Sequence, residues 1–187
     1  MYCNRIPDKP EERRNILEKL DNMARANSLW VTAYGTGCGA IELRPLGTSR
    51  FDMERFGIAM RPTPRQADVL IISGYLAVKT LKRVIRVYEQ VQQPKYILAL
   101  GSCTINGGMY YDSYNTLNML DRYIPVDVYV NGCMPRPEAI IDGFILLIKK
   151  IKEGKADGWK NYLENFEYYR KNQMEVIHNW DLPDYNW

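Results

Sequence analysis

The chain is poor in histidine. One residue, His178, stands among 187, and it falls near the C-terminus, so a mixed Cys/His zinc site is disfavoured. Charge of one sign is also missing: 25 basic and 22 acidic residues leave a net charge of +3. With no dense Lys/Arg stripe, that balance excludes a nucleic-acid binder. No apolar run approaches the roughly 18–20 residues that a membrane-spanning helix needs. The first residues, MYCNRIPDKPEERR, carry charges but no apolar stretch behind them. No secretory signal is visible, and the expected compartment is the cytoplasm. Internal repeats and low-complexity stretches are absent.

What remains is ordinary globular composition. Apolar residues make up 46% and charged residues 25%, which argues against disorder. The length suits one domain with a sizeable core. Four cysteines in a reducing compartment are read as metal ligands, reactive thiols or small core residues before they are read as disulfides.

The pattern along the chain is α/β. Residues 8–27 predict a helix, with Asp8 as N-cap, Pro10 in the first turn and Glu11 three residues after the cap. Ile16, Leu17, Leu20, Met23 and Ala24 share one of its faces. Four short β-prone runs follow: Leu29–Tyr34, Val69–Ile72, Tyr96–Leu100 and Val126–Val130. The second and third are continuously apolar, as expected of strands covered on both faces. Helical patterns fill residues 75–93 and 136–152, and a shorter helix is expected around 113–121. Strands alternating with helices imply βαβ units and a parallel sheet. The expectation is an open, flavodoxin-like parallel sheet of four strands with flanking helices, followed by an aromatic-rich C-terminal extension. From Gly158 onward that extension holds three of the four tryptophans. It predicts one helix near 158–172 and then an extended tail. The tail either straps onto its own domain or wraps a partner.

The cysteines fall at informative places. Cys38, Cys103 and Cys133 follow the first, third and fourth predicted strands, separated by 65 and 30 residues. In an open α/β sheet the carboxyl ends of parallel strands share one edge, and ligands bind there. Each cysteine sits in a glycine-bearing loop: Gly37-Cys38-Gly39, Gly101-Ser102-Cys103 and Gly132-Cys133. Glycines let the backbone come close and turn its N–H groups toward an anionic group with sulfur acceptors. Taken singly, each cysteine reads as a small core residue. Three at equivalent strand ends point instead to a shared metal or cluster site, and thiolate-rich sites select zinc or iron–sulfur. A competing reading makes Tyr34-Gly-Thr-Gly-Cys-Gly39 a phosphate cradle for a flavin. That reading accounts for neither Cys103 nor Cys133.

Longer motifs carry a resemblance. They are Cys38-Gly-Ala-Ile-Glu42, Arg50-Phe-Asp-Met-Glu-Arg-Phe-Gly57, Arg61-Pro-Thr-Pro-Arg-Gln-Ala-Asp68, Gly101-Ser-Cys-Thr-Ile-Asn-Gly-Gly-Met109 and Ile124-Pro-Val-Asp-Val-Tyr-Val-Asn-Gly-Cys-Met-Pro-Arg-Pro-Glu138. Over about residues 29–150 the chain resembles the small iron–sulfur subunit of respiratory complex I, of the NuoB/PSST type. That family includes the small subunits of [NiFe] hydrogenases and of complex-I-like archaeal membrane enzymes. The resemblance implies one [4Fe–4S] cluster, with Cys38, Cys103 and Cys133 as ligands. It also implies an electron-transfer subunit, peripheral on the cytoplasmic side of a membrane complex. Its partners would be a ferredoxin-like iron–sulfur subunit, a hydrogenase-like large subunit and the membrane subunits of the complex. The implied division is residues 1–28 as arm and helix, 29–155 as cluster domain and 156–187 as interaction tail.

The first loop departs from the family pattern. The complex I branch places two adjacent cysteines there, and the hydrogenase branch Cys-x-x-Cys. Here the corresponding positions are Gly37 and Gly35. A [4Fe–4S] site wants four thiolates, which leaves Cys3 as the candidate fourth ligand, with Glu42 or a partner residue as alternatives. Glycines at both positions resemble the archaeal sulfane or polysulfide reductase branch, and sulfane reduction is the expected task. Quinone reduction, proton reduction, a flavin module and a cluster-free scaffold are the alternatives.

Other residues near the same rim have two readings each. Arg61, Arg65 and Arg136 would either offset cluster charge or pair with Asp68, Glu54 and Glu138. Asp52 and Glu54 would either relay protons or cap a helix. Tyr110, Tyr111 and Tyr114 would be interface or packing.

Overall fold

The computed structural model describes residues 11–177. Expectations for Cys3, Asp8, Pro10, His178 and the last aromatic residues lie outside it.

Five strands form one wholly parallel sheet: β1 (Leu29–Gly35), β2 (Ile58–Met60), β3 (Val69–Ser73), β4 (Tyr96–Leu100) and β5 (Val128–Val130). Their order is β2-β1-β3-β4-β5, the order of flavodoxin-type doubly wound sheets. The α/β class and the parallel sheet agree with expectation; the strand count is five rather than four. The missed strand, β2, is three residues long and pairs on one side only, through Leu29↔Ile58 to Val31↔Met60. So short an edge segment carries almost no periodic signal.

Every residue of β3 and β4 is buried. Alternate side chains feed two cores, because successive Cβ atoms point to opposite faces. Val69, Ile71, Leu98 and Leu100 face α5 (Pro137–Lys152) through Ile140, Phe144, Leu147 and Ile151. Leu70, Ile72, Ile97 and Ala99 face α3 (Val78–Gln90) through Leu81, Val84, Ile85 and Tyr88. Helix α1 (Glu11–Ala26) packs beside α5 and contributes Ala26 to the first core. Its Leu17, Leu20 and Met23 stay exposed.

Two aspartates finish the amino-end edge of the sheet. Asp68 Oδ2 accepts from Trp30 N–H at 3.1 Å. Asp127 Oδ2 accepts from Ile97 N–H at 2.8 Å, and its Oδ1 from Gly158 N–H at 3.2 Å, which ties the first turn of α6 (Gly158–Glu164) to the sheet.

Two helical expectations are corrected. Residues 113–121 form no α-helix. The backbone there is drawn to the β3–α3 connection instead: Leu117 N–H donates to Leu76 O at 2.8 Å, and Val78 N–H to Asn115 O at 3.0 Å. Met119 at φ 58° interrupts any helical run. The single C-terminal helix is two, α6 and α7 (Phe166–Val176), broken at Asn165, whose φ and ψ are −108° and 33°. Both pack on the α3 face through Tyr162, Tyr169 and Val176. Buried Gln173 donates to Tyr123 O at 2.8 Å.

Candidate metal centre at the carboxyl edge of the sheet

The chain leaves β1 for one neighbour, β2, and returns to the other, β3. The crevice between β1 and β3 at their carboxyl ends is therefore the topological switch point, where doubly wound folds place their ligands. Cys38 sits there, one residue before the short helix α2 (Gly39–Leu43). Cys103 lies within α4 (Ser102–Asn106), directly after β4. Cys133 lies in the loop between β5 and α5, and its peptide to Met134 is cis. All three are free thiols; Cys38 and Cys133 are exposed and Cys103 is buried.

The loops are fastened to each other. Gly101 N–H donates to Val130 O and Ser102 N–H to Gly132 O, both at 2.9 Å, so the Cys103 and Cys133 loops are joined by backbone hydrogen bonds. Thr36 N–H donates to Ser73 O at 2.9 Å. The Thr36 hydroxyl reaches the carbonyls of Ser73 and Tyr75, which holds the Cys38 loop on the end of β3. Close approach requires glycine here. A Cβ on Gly39 would stand 2.5 Å from Gly74 N and 2.6 Å from Ser73 C. One on Gly108 would meet Cys103 Sγ at 3.0 Å.

The electrostatics join the three thiols. The Cys103 thiol is pushed up from its ordinary pKa, first by burial, then by Cys133 and Cys38, each of which raises it. Backbone N–H groups of Met109 and of Cys103 itself pull the other way. A sulfur that feels two other cysteines and has N–H groups turned to it suits a positively charged iron or zinc centre. Among the described residues there is no group of three or more His, Cys, Asp or Glu side chains that could hold a metal ion.

Of the other rim residues, Glu42 is half-buried in α2, and Asp52 and Glu54 are exposed. Among the described residues no ion pair joins Arg65 to Asp68 or Glu54, or Arg136 to Glu138. Arg61 lies over the Trp30 ring, 4.7 Å from its centroid. A wide, shallow hollow of about 400 Å³ opens there, lined by Thr32, Ala33, Met60, Arg61 and Pro62. The Tyr110 ring packs at a 55° tilt, centroids 5.2 Å apart, against Tyr75, whose carbonyl holds the Cys38 loop. Met109, Tyr111 and Tyr114 stand in solvent, Tyr114 entirely so. Sequence reasoning passed over Ser73, which ends β3 beneath the Cys38 loop. Its only local signal is a polar residue closing an otherwise apolar strand.

The family model for the NADH ubiquinone oxidoreductase 20 kDa subunit matches residues 15–147. The chain belongs to that family. It is 51% identical over 146 residues to the corresponding NADH-quinone oxidoreductase subunit of Heliobacterium modesticaldum, a match covering 78% of this chain and 83% of that one. It is 46% identical over 163 residues to the chloroplastic NAD(P)H-quinone oxidoreductase subunit K of Angiopteris evecta. There the match covers 86% of this chain but 65% of the relative. Against the subunit K of Chlorokybus atmophyticus it covers 56% of the relative. Among solved structures, a chain of the archaeal membrane-bound sulfane sulfur reductase, a respiratory membrane complex, superposes with a TM-score of 0.82 at 59% identity. That match covers 86% of this chain and 90% of the other. The family is one of oxidoreductase subunits. Among the described residues no helix is long and apolar enough to cross a membrane.

Proposed function

We propose that the chain is the electron-transfer subunit of a complex-I-like membrane oxidoreductase and holds one [4Fe–4S] cluster through Cys38, Cys103, Cys133 and Cys3. The observation that supports this reading is that three free thiols follow strands of one parallel sheet at the same edge, with the Cys103 and Cys133 loops bonded to each other and the Cys38 loop bonded to the end of β3. A cluster is wider than a single ion and takes one thiolate at each corner. Cys3, outside the described residues, is the remaining thiol for the fourth corner. Glu42, one turn along α2 from Cys38, is the alternative.

A bound cluster supplies one-electron storage. The chain's own work is to place and tune it. Cys103 is buried, which keeps water from that corner. Met109 N–H is directed at its sulfur. The exposed apolar side chains around the rim, Ile41, Met109 and Tyr111 among them, suit burial by a hydrogenase-like large subunit. In this reading a ferredoxin-like subunit delivers electrons, the membrane subunits anchor the assembly, and this chain stays peripheral on the cytoplasmic side.

Sulfane or polysulfide reduction is favoured over quinone reduction by two features. The first loop has glycine at 35 and 37 rather than a second cysteine, and similarity to the sulfane sulfur reductase chain is 59% against 51% for the Heliobacterium relative.

The test is the intact complex purified without oxygen. Loss of one cluster's iron and sulfide from the Cys103→Ser complex relative to wild type supports the reading. Iron and sulfide unchanged in that variant contradict it. Turnover with polysulfide but not with a quinone analogue supports the sulfane branch, and the reverse outcome supports quinone reduction.

A further inference from the structure

The segment 113–121 forms no helix and bonds to the β3–α3 connection instead, and that exchange sets one side chain beside the Cys103 loop. Leu117 is buried, and its N–H donates to Leu76 O at 2.8 Å. Asn118, next in the chain, is thereby held against the turn that follows α4. Its Nδ2 donates to Tyr111 O at 2.9 Å. Its Oδ1 lies against the α-carbon of Gly107, where a Cβ would collide with it. The two contacts grip the 107–111 turn at both ends.

That turn covers Cys103. A Cβ on Gly108 would stand 3.0 Å from Cys103 Sγ and 3.1 Å from Cys103 N. Met109 N–H bonds to the same sulfur. Gly107 and Gly108, at φ 85° and 53°, let the chain double back over it. Inside the turn, Gly108 N–H donates to Asn106 Oδ1 at 3.0 Å and Tyr110 N–H to Gly107 O at 2.9 Å. Those bonds shape the turn; the Asn118 amide ties it to a second segment. The anchor is shared with the first cysteine. Leu76 follows Tyr75, whose carbonyl accepts from the Thr36 hydroxyl in the Cys38 loop. Asn118 thus joins the cover of Cys103 to the strand end that holds Cys38.

We infer that Asn118 is a positioning residue for the metal centre: its side-chain amide clasps the 107–111 turn over Cys103, and so fixes that sulfur and the N–H it accepts. This deepens the cluster reading above and rests on it. Asn118 acts through the turn, and only hydrogen bonds are made or lost. An N–H on a ligating sulfur draws off negative charge and favours the reduced form, raising the potential.

Two variants test it. Asn118→Asp keeps the shape of the side chain and removes the donor to Tyr111 O; Asn118→Ala removes both contacts. Asn118 is exposed, so neither should unfold the chain. Amide exchange of the full chain, read by mass spectrometry, reports the turn without any cluster. Residues 107–111 are expected to exchange threefold to tenfold faster, the range that loss of one hydrogen bond gives, while β4 keeps its protection. EPR-monitored redox titration of the anaerobic complex reports the centre, its signal assigned as the one missing from the Cys103→Ser complex. The midpoint should fall with the spin count kept. The reduction equilibrium moves twofold to tenfold toward the oxidised form, tenfold being 59 mV for one electron. Unchanged exchange over 107–111 overturns the inference. So does faster exchange with an unmoved midpoint, which makes Asn118 a residue of the turn alone. Faster exchange across β4 as well overturns it too, by making Asn118 a residue of the whole fold. If no signal is missing from the Cys103→Ser complex, the cluster reading fails and the inference with it, and that outcome is visible before Asn118 is changed.

Discussion

Gly39 shows how little freedom the cysteine edge allows a single side chain. Its would-be Cβ meets backbone, Gly74 N and Ser73 C, not a side chain that could swing away. Gly39→Ala should therefore push the Cys38 loop off β3 and lower the iron content of the complex by up to one cluster, with every cysteine still present in the sequence. Gly47→Ala is the control, since nothing lies within 4 Å of that Cβ. Iron assay of the two purified complexes checks this. A second side chain, Lys95, is 7% exposed and donates to Tyr88 O at 2.7 Å. Burial pulls its pKa from 10.5 to about 8, with Glu89 opposing. Between those values the unfolded chain holds the proton and the folded chain does not, so Lys95 adds stability as pH rises. Denaturant melts of wild type and Lys95→Met should diverge by roughly 2 kcal/mol in favour of wild type on going from pH 7 to pH 10. The strand-end positions of Cys38, Cys103 and Cys133 were legible because each lies beside glycine just after a β-prone run. Lys95 and Ser73 could not, because sequence does not reveal what a polar atom faces once buried.

The helices differ in what holds them. In α5 the buried Phe144 anchors the helix to β3, β4 and β5. Phe144→Ala should cost about 3–5 kcal/mol by cavity formation, read from the denaturation midpoint. In α7 the tie is polar: Gln173 satisfies Tyr123 O inside the fold. Gln173→Ala strands that carbonyl, and amide exchange over 158–176 should speed while the central strands hold their protection. Elements with many regularly spaced apolar residues, such as α5, or unbroken apolar runs, such as β3 and β4, were readable from the pattern. The segment 113–121 was not, because its helical periodicity loses to hydrogen bonds with Leu76 and Val78 that are remote in sequence. The break at Asn165 and the three-residue β2 escaped for a related reason: each depends on what the segment packs against, not on its own composition.

Taken as a molecule, the chain folds around two well-filled cores yet leaves apolar and aromatic side chains around the cysteine edge, with Met109 76% exposed and Tyr114 fully so. Solvated apolar residues gathered beside a site mark a face meant for another surface. Met109→Asp with Tyr111→Asp should cut recovery of the proposed large subunit in a pull-down several-fold, with the melting midpoint of this chain unmoved. The same logic predicts no turnover by the isolated chain. The central claim is that the sheet gathers Cys38, Cys103 and Cys133 around one iron–sulfur group. Anomalous scattering at the iron edge, collected from crystals of the anaerobic complex, tests it most directly. The account predicts one strong iron peak bonded by all three sulfurs at the carboxyl edge of β1, β4 and β5; an edge without iron, its three sulfurs turned apart into apolar packing, would contradict it.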